Sequence, residues 1–371
     1  HPLKGRQTDG GVVKGRLLIA GFATRHVAQS AFHAGYEVCA VDHFCDQDLC
    51  WYTKDREKFE DLADLTDAID RICRRHTFDF FVPTSGAELL LAPIPLMGTP
   101  HTAIRCLMDK LDTQHFFESL SVSVPRILLD NEYPAMVKPR TGAGGWRNAV
   151  IHNDTEMAAW RELYEDVPHI RQEIVTGTAA SVCCVATGTR ALALTTNEQV
   201  LRGGDGESAF GFAGAITPCD HPRAKEMADL AERIAAASGG VGTIGIDFVI
   251  GENGPVAIEV NPRFQGTADT VEMALQCSLF DLHMDACRGI LPQSRPQARQ
   301  VAARKILFAD RDVTVRADLS CLKEFVSDIP WPGTFFEEEQ AIVSVHGWGP
   351  DREAALSLLD KHITTVRQYM R

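Results

Sequence analysis

The sequence predicts a protein of mixed α/β and α+β class, in which a doubly wound parallel sheet is followed by mainly antiparallel strands. Two observations carry this prediction. Residues 16–41 have the pattern strand, loop, helix, strand, which opens a doubly wound domain. Residues 242–260 form two apolar runs joined through Asn253-Gly254, a dipeptide typical of a β-hairpin. The length of 371 residues suggests two or three domains.

The N-terminal domain, predicted at 15–105, alternates apolar strands with amphipathic helices. Its predicted strands are 16–20, 36–41 and 78–83, and its predicted helices are 27–33 and 62–75. Ligands of such sheets bind beyond the carboxyl ends of the strands, so substrate contacts are expected in the loops that follow them. Residues 4–14 show no comparable pattern, and we leave them out of the fold prediction.

The loop after the first strand tests whether this domain binds a dinucleotide. It reads Gly21-Phe22-Ala23-Thr24-Arg25, and Asp42 closes the second strand about 20 residues later. The loop is not G-x-G-x-x-G, and it lacks the second glycine that lets the backbone approach a pyrophosphate. The sequence therefore disfavours nicotinamide chemistry.

Beyond the first domain the pattern becomes antiparallel. We predict a helix at 108–120, strands at 133–137, 148–152, 181–186, 191–197, 242–250 and 256–260, and a final amphipathic helix at 351–369. Residues 292–300 have the composition of a connecting segment, and residues 291–371 form the predicted C-terminal α+β extension.

The charge balance restricts the partners of the protein. The chain has 37 basic and 50 acidic side chains, a formal net charge of −13, and no apolar run long enough to span a bilayer. This balance argues against a nucleic-acid or membrane partner and leaves small molecules, with a homodimer open as the assembly. Eleven cysteines, an odd number without a C-x-x-C pair, indicate free thiols and a cytoplasmic location.

The strongest chemical signal is a pair of acidic strands. Asp247 lies on the first strand of the predicted hairpin, and Glu259 and Asn261 lie on one face of the second. Two carboxylates and an amide oxygen suit Mg²⁺, which keeps water and phosphate oxygens as its other ligands; Mn²⁺ is an alternative. A solvated polar hairpin face is the competing interpretation, and the apolar residues on both strands disfavour it.

A second constellation precedes this pair in the chain. Lys138 ends a predicted strand and is followed by the glycine-rich stretch Thr141-Gly142-Ala143-Gly144-Gly145. Backbone N–H groups of such a loop can close over phosphate oxygens while the lysine supplies a positive charge. The stretch is not a Walker loop, and a surface turn is its alternative.

In order along the chain, these motifs resemble the ATP-grasp superfamily over residues 15–290. The matching segments are Asp109-Lys110, Met136-Val137-Lys138-Pro139, the glycine loop, Arg171-Gln172-Glu173-Ile174-Val175-Thr176-Gly177, Asp247, and Glu259-Val260-Asn261-Pro262-Arg263. The resemblance implies an N-terminal pre-ATP-grasp domain, a two-lobed ATP-grasp fold with lobes at 106–175 and 176–290, and a C-terminal segment.

The resemblance also implies the role of each matched residue. Lys110, Lys138, Gly142, Gly144 and Gly145 would contact ATP phosphates, and Gln172, Glu173, Ile174 and Val175 would line the adenine cleft. Asp247, Glu259 and Asn261 would hold one or two metal ions, and Arg263 and Lys138 would act on the transferred phosphoryl group. Residues 177–181 contain no acid where many members place a ribose-binding glutamate, so the ribose contact stays unassigned.

More narrowly, the chain is similar to the predicted ATP-dependent carboligases related to biotin carboxylase of methanogens and methylotrophs. Residues 20–25, 41–44, 177–181, and Gly333-Thr334 following Asp328-Ile329-Pro330 carry this similarity. It implies a carboxylate–amine ligase that forms an amide through an acyl phosphate, in one-carbon coenzyme assembly with glutamate or a similar amino acid. A carboxylase that forms carboxyphosphate and a non-catalytic nucleotide-binding regulator are the alternatives.

Substrate contacts are expected from the N-terminal domain. Arg25 is the candidate for a substrate carboxylate, because a guanidinium binds carboxylates through two parallel hydrogen bonds. Glu88 is the candidate for an amine. Each could instead be an ordinary charge in the first turn of a helix. Residues 141–145 and 202–214 are glycine-rich and are predicted to cover the cleft.

Overall fold

A computed structural model describes residues 12–142, 145–204 and 208–371, so the excluded N-terminal segment lies almost wholly outside it. The first domain contains a parallel sheet, as the sequence predicts; it has four strands in the order β3-β2-β1-β4, of which β3 was not predicted. Its strands are β1 (Arg16–Ala20), β2 (Glu37–Asp42), β3 (Asp55–Lys58) and β4 (Phe80–Pro83), and its helices are α1 (Arg25–His33), α2 (Gln47–Tyr52) and α3 (Leu65–Arg75).

Two short helices lead into a small antiparallel sheet of order β6-β5-β7. They are α4 (His101–Met108) and α5 (Lys110–Ser119), and the sheet consists of β5 (Ala135–Pro139), β6 (Ala149–Ile151) and β7 (His169–Gln172), with α6 (Asp154–Leu163) on one face. Buried Ala135, Val137, Ile151 and Trp160 pack on that face, which leaves the opposite face of the sheet toward the rest of the molecule.

The largest element is an eight-stranded antiparallel sheet of order β12-β11-β8-β9-β10-β13-β17-β15. Its first strands and the helices between them are β8 (Thr178–Thr187), β9 (Ala191–Leu201), β10 (Phe212–Thr217), α7 (Ala224–Ala237), β11 (Val241–Gly251), β12 (Gly254–Asn261), α8 (Ala268–Leu275) and α9 (Leu279–Cys287). The C-terminal elements are β13 (Val301–Phe308), β14 (Val313–Val315), β15 (Val326–Ser327), β16 (Thr334–Phe336), β17 (Ala341–Gly349) and α10 (Arg352–Tyr369).

Apolar packing joins the N-terminal sheet to the large sheet. One cluster contains Leu17 and Val27 from the first domain together with Phe264, Phe280 and Met284 from the region of α8 and α9. Because this burial crosses the predicted boundary between the two regions, the carboxyl ends of β1, β2 and β4 are held toward the large sheet.

The structure corrects two predicted elements. The helix predicted at 108–120 is present as α5 but begins at Lys110, because the side chain of Asp109 caps it by accepting hydrogen bonds from the N–H groups of Leu111 and Asp112; the preceding helix α4 was not predicted. The strand predicted at 191–197 continues to Leu201. The last residues of β9, from Glu198 to Leu201, pair with β10. The backbone hydrogen bonding therefore extends beyond the apolar pattern from which the strand was predicted.

The C-terminal extension contributes strands to the large sheet itself. β13 pairs with β10, and β17 and β15 continue the sheet beyond it. Asp351 caps the final helix by accepting from the N–H of Ala354 at 2.8 Å, close to the predicted start of that helix.

A buried ion-pair cluster connects the three regions. The Arg25 guanidinium contacts Asp269 at 2.6 Å and Asp328 at 2.9 Å, with Asp48 at 3.7 Å. Arg304 contacts Asp328 at 3.0 Å. Burial alone would raise the pKa of Asp269, but Arg25 and then Arg304 hold that pKa far below its ordinary value.

This cluster changes the role expected for Arg25. Each nitrogen of its guanidinium already has a hydrogen bond to the protein, through Gln29, Asp269 and Asp328. Arg25 is 4% exposed. The structure therefore gives Arg25 a part in holding the regions together, and we no longer assign it a substrate carboxylate.

Replacing Arg25 by methionine tests this structural role. The change leaves the half-buried Asp269 and Asp328 without the buried guanidinium that contacts both, and we expect a loss of about 3–5 kcal/mol of stability. Urea unfolding of both proteins measures this difference. Arg71→Met is the matched control, because Arg71 is exposed and pairs with Glu57 at 3.1 Å, so its loss should cost less than about 1 kcal/mol. Equal losses in the two variants would contradict the assignment.

Candidate active site

The β11–β12 hairpin brings the predicted metal ligands together. Asp247 lies directly opposite Glu259, and Gly245 lies opposite Asn261. Directly opposite residues of an antiparallel pair point to the same face, and alternate residues along a strand share a face. Asp247, Glu259 and Asn261 therefore share one face of the large sheet at its edge strand, as the sequence predicts.

Asp247 is the electrostatic centre of this face. Burial and then the nearby Glu259 carboxylate raise its pKa to about 7, although Arg263 opposes the shift. Gln199 Nε2 donates to its Oδ1 at 3.2 Å, and Asn261 Nδ2 donates to its Oδ2 at 3.1 Å. Two neighbouring carboxylates in this surrounding repel each other, so a bound cation would stabilise the charged form of the pair.

Arg263 is positioned from both sides of the site. Its Nη2 donates to Asn261 Oδ1 at 3.1 Å, and its Nε donates to Glu88 Oε1 at 2.9 Å. The other Glu88 oxygen accepts from the N–H of Gly86 at 2.8 Å. Glu88 was expected to hold a substrate amine, but in the structure one of its oxygens orients Arg263 and the other is held by the N–H of Gly86.

The lysines approach from the small lobe. Lys138 is 8% exposed on β5, and burial lowers its pKa to about 8 although the Glu259 carboxylate opposes that shift. Lys110 is the first residue of α5, and its Nζ donates to the carbonyl of Gly142 at 2.8 Å. The positive charge of Lys110 also lowers the pKa of Lys138. The side chains of Lys110, Lys138 and Glu259 are therefore close enough to influence one another electrostatically.

The residues predicted to line the adenine cleft, 172–175, differ in their burial and in their position relative to β7. Gln172 ends β7 and is buried, whereas Ile174 and Val175 are half-buried beyond the strand. Glu173 turns its side chain toward Arg126, accepting from that residue's backbone N–H at 2.9 Å, and its own N–H donates to the Arg126 carbonyl. The Glu173 side chain therefore supports the neighbouring segment.

The two glycine-rich segments predicted to cover the cleft, residues 141–145 and 202–214, approach each other at Gly145 and Phe210. A Cβ added at Gly145 would collide with the carbonyl oxygen of Phe210, and Gly145 has φ +71°, so glycine is required for this approach. Gly144 lies outside the described residues, as do Asp205–Glu207 of the second cover. Arg202 anchors that cover by stacking its guanidinium 3.8 Å from the Phe308 ring centroid.

The order of these groups along the chain matches a known family. Residues 107–267 match the family described as the ATP-grasp domain. This segment is an ATP-grasp domain. It contains Lys110, Lys138, the glycine loop, the β11–β12 hairpin and Arg263, so the ATP-grasp assignment covers the matched residues of the small lobe and of the acidic hairpin.

Two relatives are similar to this chain beyond the matched domain. It is 25% identical over 362 residues to an uncharacterized protein of Methanocaldococcus jannaschii, covering 89% of this chain and 87% of that protein. It is 27% identical over 270 residues to the arginine-specific large chain of carbamoyl phosphate synthase from Geobacillus stearothermophilus. That match covers 64% of this chain and 26% of the relative, so the chain spans about a quarter of that enzyme chain.

Two solved structures share the fold over nearly the whole chain. The biotin carboxylase domain of 2-oxoglutarate carboxylase from Hydrogenobacter thermophilus, in complex with MgADP, ADP and bicarbonate, has a TM-score of 0.74 at 14% identity. The match covers 94% of this chain and 89% of that one. The L-amino acid ligase from Bacillus licheniformis has a TM-score of 0.71 at 15% identity, with 95% and 98% covered. The proteins that share this fold thus include a biotin carboxylase domain and an amino acid ligase.

The donor set of the ATP-grasp hairpin fits Mg²⁺. Within the described ranges, no group of three or more His, Cys, Asp or Glu side chains is arranged to hold a metal. The hairpin offers two carboxylates and the oxygen of Asn261, which retains a free lone pair beside Arg263. A divalent ion here would complete its shell with water and phosphate oxygens, the arrangement that Mg²⁺ prefers.

Two general expectations concern membranes and thiols. Among the residues that the structure describes, no helix is long and apolar enough to cross a membrane. All eleven cysteines are free thiols. Burial raises the pKa of Cys183 to about 12, so this thiol stays protonated and acts as a small apolar side chain.

The structure adds site residues that the sequence analysis did not select. Gln199 lies beyond the predicted end of β9, at residue 197. The strand continues to Leu201 in the structure, and this extension places Gln199 beside Asp247. Gln114 lies on α5 and contacts Gln172. A polar residue at a buried helical position was the available signal for Gln114, but a sequence pattern does not name its partner.

The raised pKa of Asp247 predicts a pH-dependent stability. The folded protein binds this proton more tightly than the unfolded chain, so the contribution of Asp247 to stability falls as the pH rises through about 4.5–6.5. In EDTA, wild type should lose up to about 1.4 kcal/mol per pH unit relative to Asp247→Asn across this range. Urea unfolding at several pH values measures the difference.

A surface aspartate provides the comparison for this experiment. Asp360→Asn removes an exposed carboxylate on α10, and its stability should follow wild type across the same pH range. If Asp247→Asn also follows wild type at every pH, the proposed repulsion between Asp247 and Glu259 is wrong.

Proposed function

We propose that this protein is an ATP-dependent carboxylate–amine ligase, which forms an amide and releases ADP and phosphate. The observation that supports this proposal most is the meeting of two kinds of charge at one cleft. Lys110 and Lys138 lie on one side, and the Asp247–Glu259 pair with Arg263 lies on the other. An arrangement of this kind can bind a triphosphate and its metal and then stabilise a migrating phosphoryl group.

In the first step, a carboxylate oxygen of the substrate attacks the γ-phosphorus of ATP. A new O–P bond forms, the bond from the γ-phosphorus to the β,γ-bridging oxygen breaks, and ADP leaves. Lys138 stays mainly protonated at neutral pH, since its pKa is about 8, and it can offset charge on the phosphoryl oxygens. Arg263, fixed by Glu88 and Asn261, presents its remaining N–H groups with little loss of side-chain freedom.

Asp247, Glu259 and Asn261 are the residues that would hold Mg²⁺. When bound there, the ion supplies positive charge to the phosphate oxygens and lowers the barrier to phosphoryl transfer. Gln199 holds Asp247 through its donated hydrogen bond and so helps to keep the carboxylate in place.

In the second step, an uncharged amine attacks the carbonyl carbon of the acyl phosphate. The C–N bond forms, the bond from that carbon to the phosphate oxygen breaks, and the extra proton on the nitrogen passes to the released phosphate. Water would compete with the amine, so the cleft must exclude it. The contact of Gly145 with Phe210 supports a covering role for both glycine-rich segments.

The finer identity of the reaction rests on the carboligase resemblance. We propose one-carbon coenzyme assembly as the setting, with glutamate or a similar amino acid as the amine. The free cysteines support the cytoplasm as its location. The Hydrogenobacter domain is described as a dimer, which supports a homodimer as the proposed assembly.

A substrate screen distinguishes the possible reactions. Carboxylate and amine pairs are incubated with ATP and Mg²⁺, phosphate release is measured, and products are identified by mass. ADP release that requires both substrates supports the ligase. Release with bicarbonate and no amine would favour a carboxylase, and nucleotide binding without turnover would favour a regulatory protein.

Glu259→Gln tests the metal pair within this scheme. The change keeps the shape of the side chain but removes one of two negative charges, and we expect ADP formation to fall at least about 100-fold. Glu252→Gln is the control, because Glu252 is exposed in the turn of the same hairpin. Unaltered turnover in Glu259→Gln, with normal folding by circular dichroism, would remove the metal pair from the mechanism.

A further inference from the structure

A cavity lies at the amino-terminal edge of the parallel sheet, opposite the candidate active site. Its volume is about 230 Å³, and it is bordered by the first residues of β1 and β2 and by the carboxyl end of α3. The candidate active site faces the carboxyl ends of the same strands. β2 is 6 residues long, about 17 Å at the usual rise per residue, so a small ligand in this cavity would not reach the cleft.

The inner lining of the cavity is apolar. Cys39 is buried, and Cys73 and Phe78 are half-buried. Burial raises the pKa of the Cys39 thiol to about 11 and also raises the pKa of the Cys73 thiol, so both are uncharged at neutral pH. Benzene fits in a cavity of about 150 Å³, so this cavity has room for a small organic molecule.

The outer lining carries more positive charge than its carboxylate offsets. Lys54 and Arg16 contact the same oxygen of Glu37, Oε1, at 3.2 Å and 3.4 Å. Among the described residues, no carboxylate lies within ion-pair distance of Arg74. Asp79 lies outside the lining, and its carboxylate accepts from the backbone N–H of Arg16 at 2.8 Å. Three lining cations therefore share one lining carboxylate, a surplus of about two positive charges.

The other basic residues of this edge are already paired. Arg75 contacts Asp55 at 2.9 Å and Glu57 at 2.6 Å, and Arg71, outside the lining, contacts Glu57 at 3.1 Å. His76 contacts Asp55 at 2.7 Å. The surplus at the cavity is therefore not shared with these groups, and it forms a local positive region in a chain of net charge −13. A region of this kind attracts anions.

We propose that this cavity is a binding site for a small organic dianion that has an apolar part. The anionic group would lie against Arg16, Lys54 and Arg74, which can donate charge-assisted hydrogen bonds, and the apolar part would lie against the inner lining. Phosphate monoesters and dicarboxylates share this chemistry, because guanidinium and ammonium groups bind both. The site is independent of the proposed ATP function, since its lining contains none of the residues assigned to the cleft.

Three anions of different charge test the proposal. Phenyl phosphate carries about two negative charges at neutral pH, phenyl sulfate has a similar shape with one, and glutarate is a dicarboxylate. Isothermal titration calorimetry of the full chain at low ionic strength gives the Kd of each. We expect the better of the two dianions to bind at least about fivefold more tightly than phenyl sulfate. Which dianion binds better distinguishes a phosphate monoester from a dicarboxylate as the preferred ligand.

Variants of the outer lining assign the binding to this cavity. The double variant Lys54→Gln with Arg74→Gln removes the surplus charge and should weaken binding of the better dianion at least about tenfold. Arg71→Gln removes one charge from the same helix outside the lining and should change that Kd less than about twofold. Lys138→Met is a second comparison, because an anion bound in the ATP cleft would depend on Lys138 instead.

Thiol labelling locates the ligand without any substitution. Iodoacetamide labels accessible thiols, and mass spectrometry of the peptides gives the labelling rate of each cysteine. At saturation, the bound dianion should slow labelling of Cys73 several-fold and leave the exposed Cys106 unaltered.

Three results would overturn the proposal. They are a wild type that binds neither dianion, unaltered labelling of Cys73 at saturation, and binding that is lost in Lys138→Met but kept in the double variant. None of the three would count against the ATP site.

Discussion

The repulsion between Asp247 and Glu259 is the constraint on which the rest of the site depends. The hairpin register places the two carboxylates opposite each other, and burial raises the pKa of Asp247 to about 7. Around this pair the chain supplies donors that hold it and cations that face it: Gln199, Asn261, Arg263 and Lys138. A site with this balance is suited to a divalent cation and a polyphosphate, and the neighbouring groups then serve phosphoryl transfer.

The N-terminal domain contributes to the candidate active site in two ways. It positions Arg263 through Glu88, and it presents the carboxyl ends of its strands to the site. Glu88 lies 175 positions before Arg263 in the chain and fixes its guanidinium. Arg25 binds Asp269 and Asp328 across regions separated by more than 200 residues. Buried apolar contacts join the same regions. The three parts of the chain therefore form one structural unit, in which the orientation of Arg263 depends on the position of the first domain.

Local signals predicted a large part of this architecture. The alternation of strand and helix gave the parallel sheet, and Asn253-Gly254 with two apolar runs gave the hairpin and hence Asp247 with Glu259. The helix predicted at 108–120 is confirmed, but its start at Lys110 was placed two residues early because the capping by Asp109 was not considered. The roles of Arg25 and Glu88 were misassigned, and Gln114 was not selected, because their partners are distant in sequence and are set by packing.

The central claim is that this cleft activates a carboxylate by transferring a phosphoryl group to it, and oxygen transfer tests that claim most directly. A carboxylate substrate found by screening is labelled with ¹⁸O and converted with ATP, Mg²⁺ and its amine, and the released phosphate is analysed by mass. The account predicts ADP together with phosphate that carries one ¹⁸O atom from the carboxylate. Phosphate without ¹⁸O, or release of AMP and pyrophosphate, would contradict it.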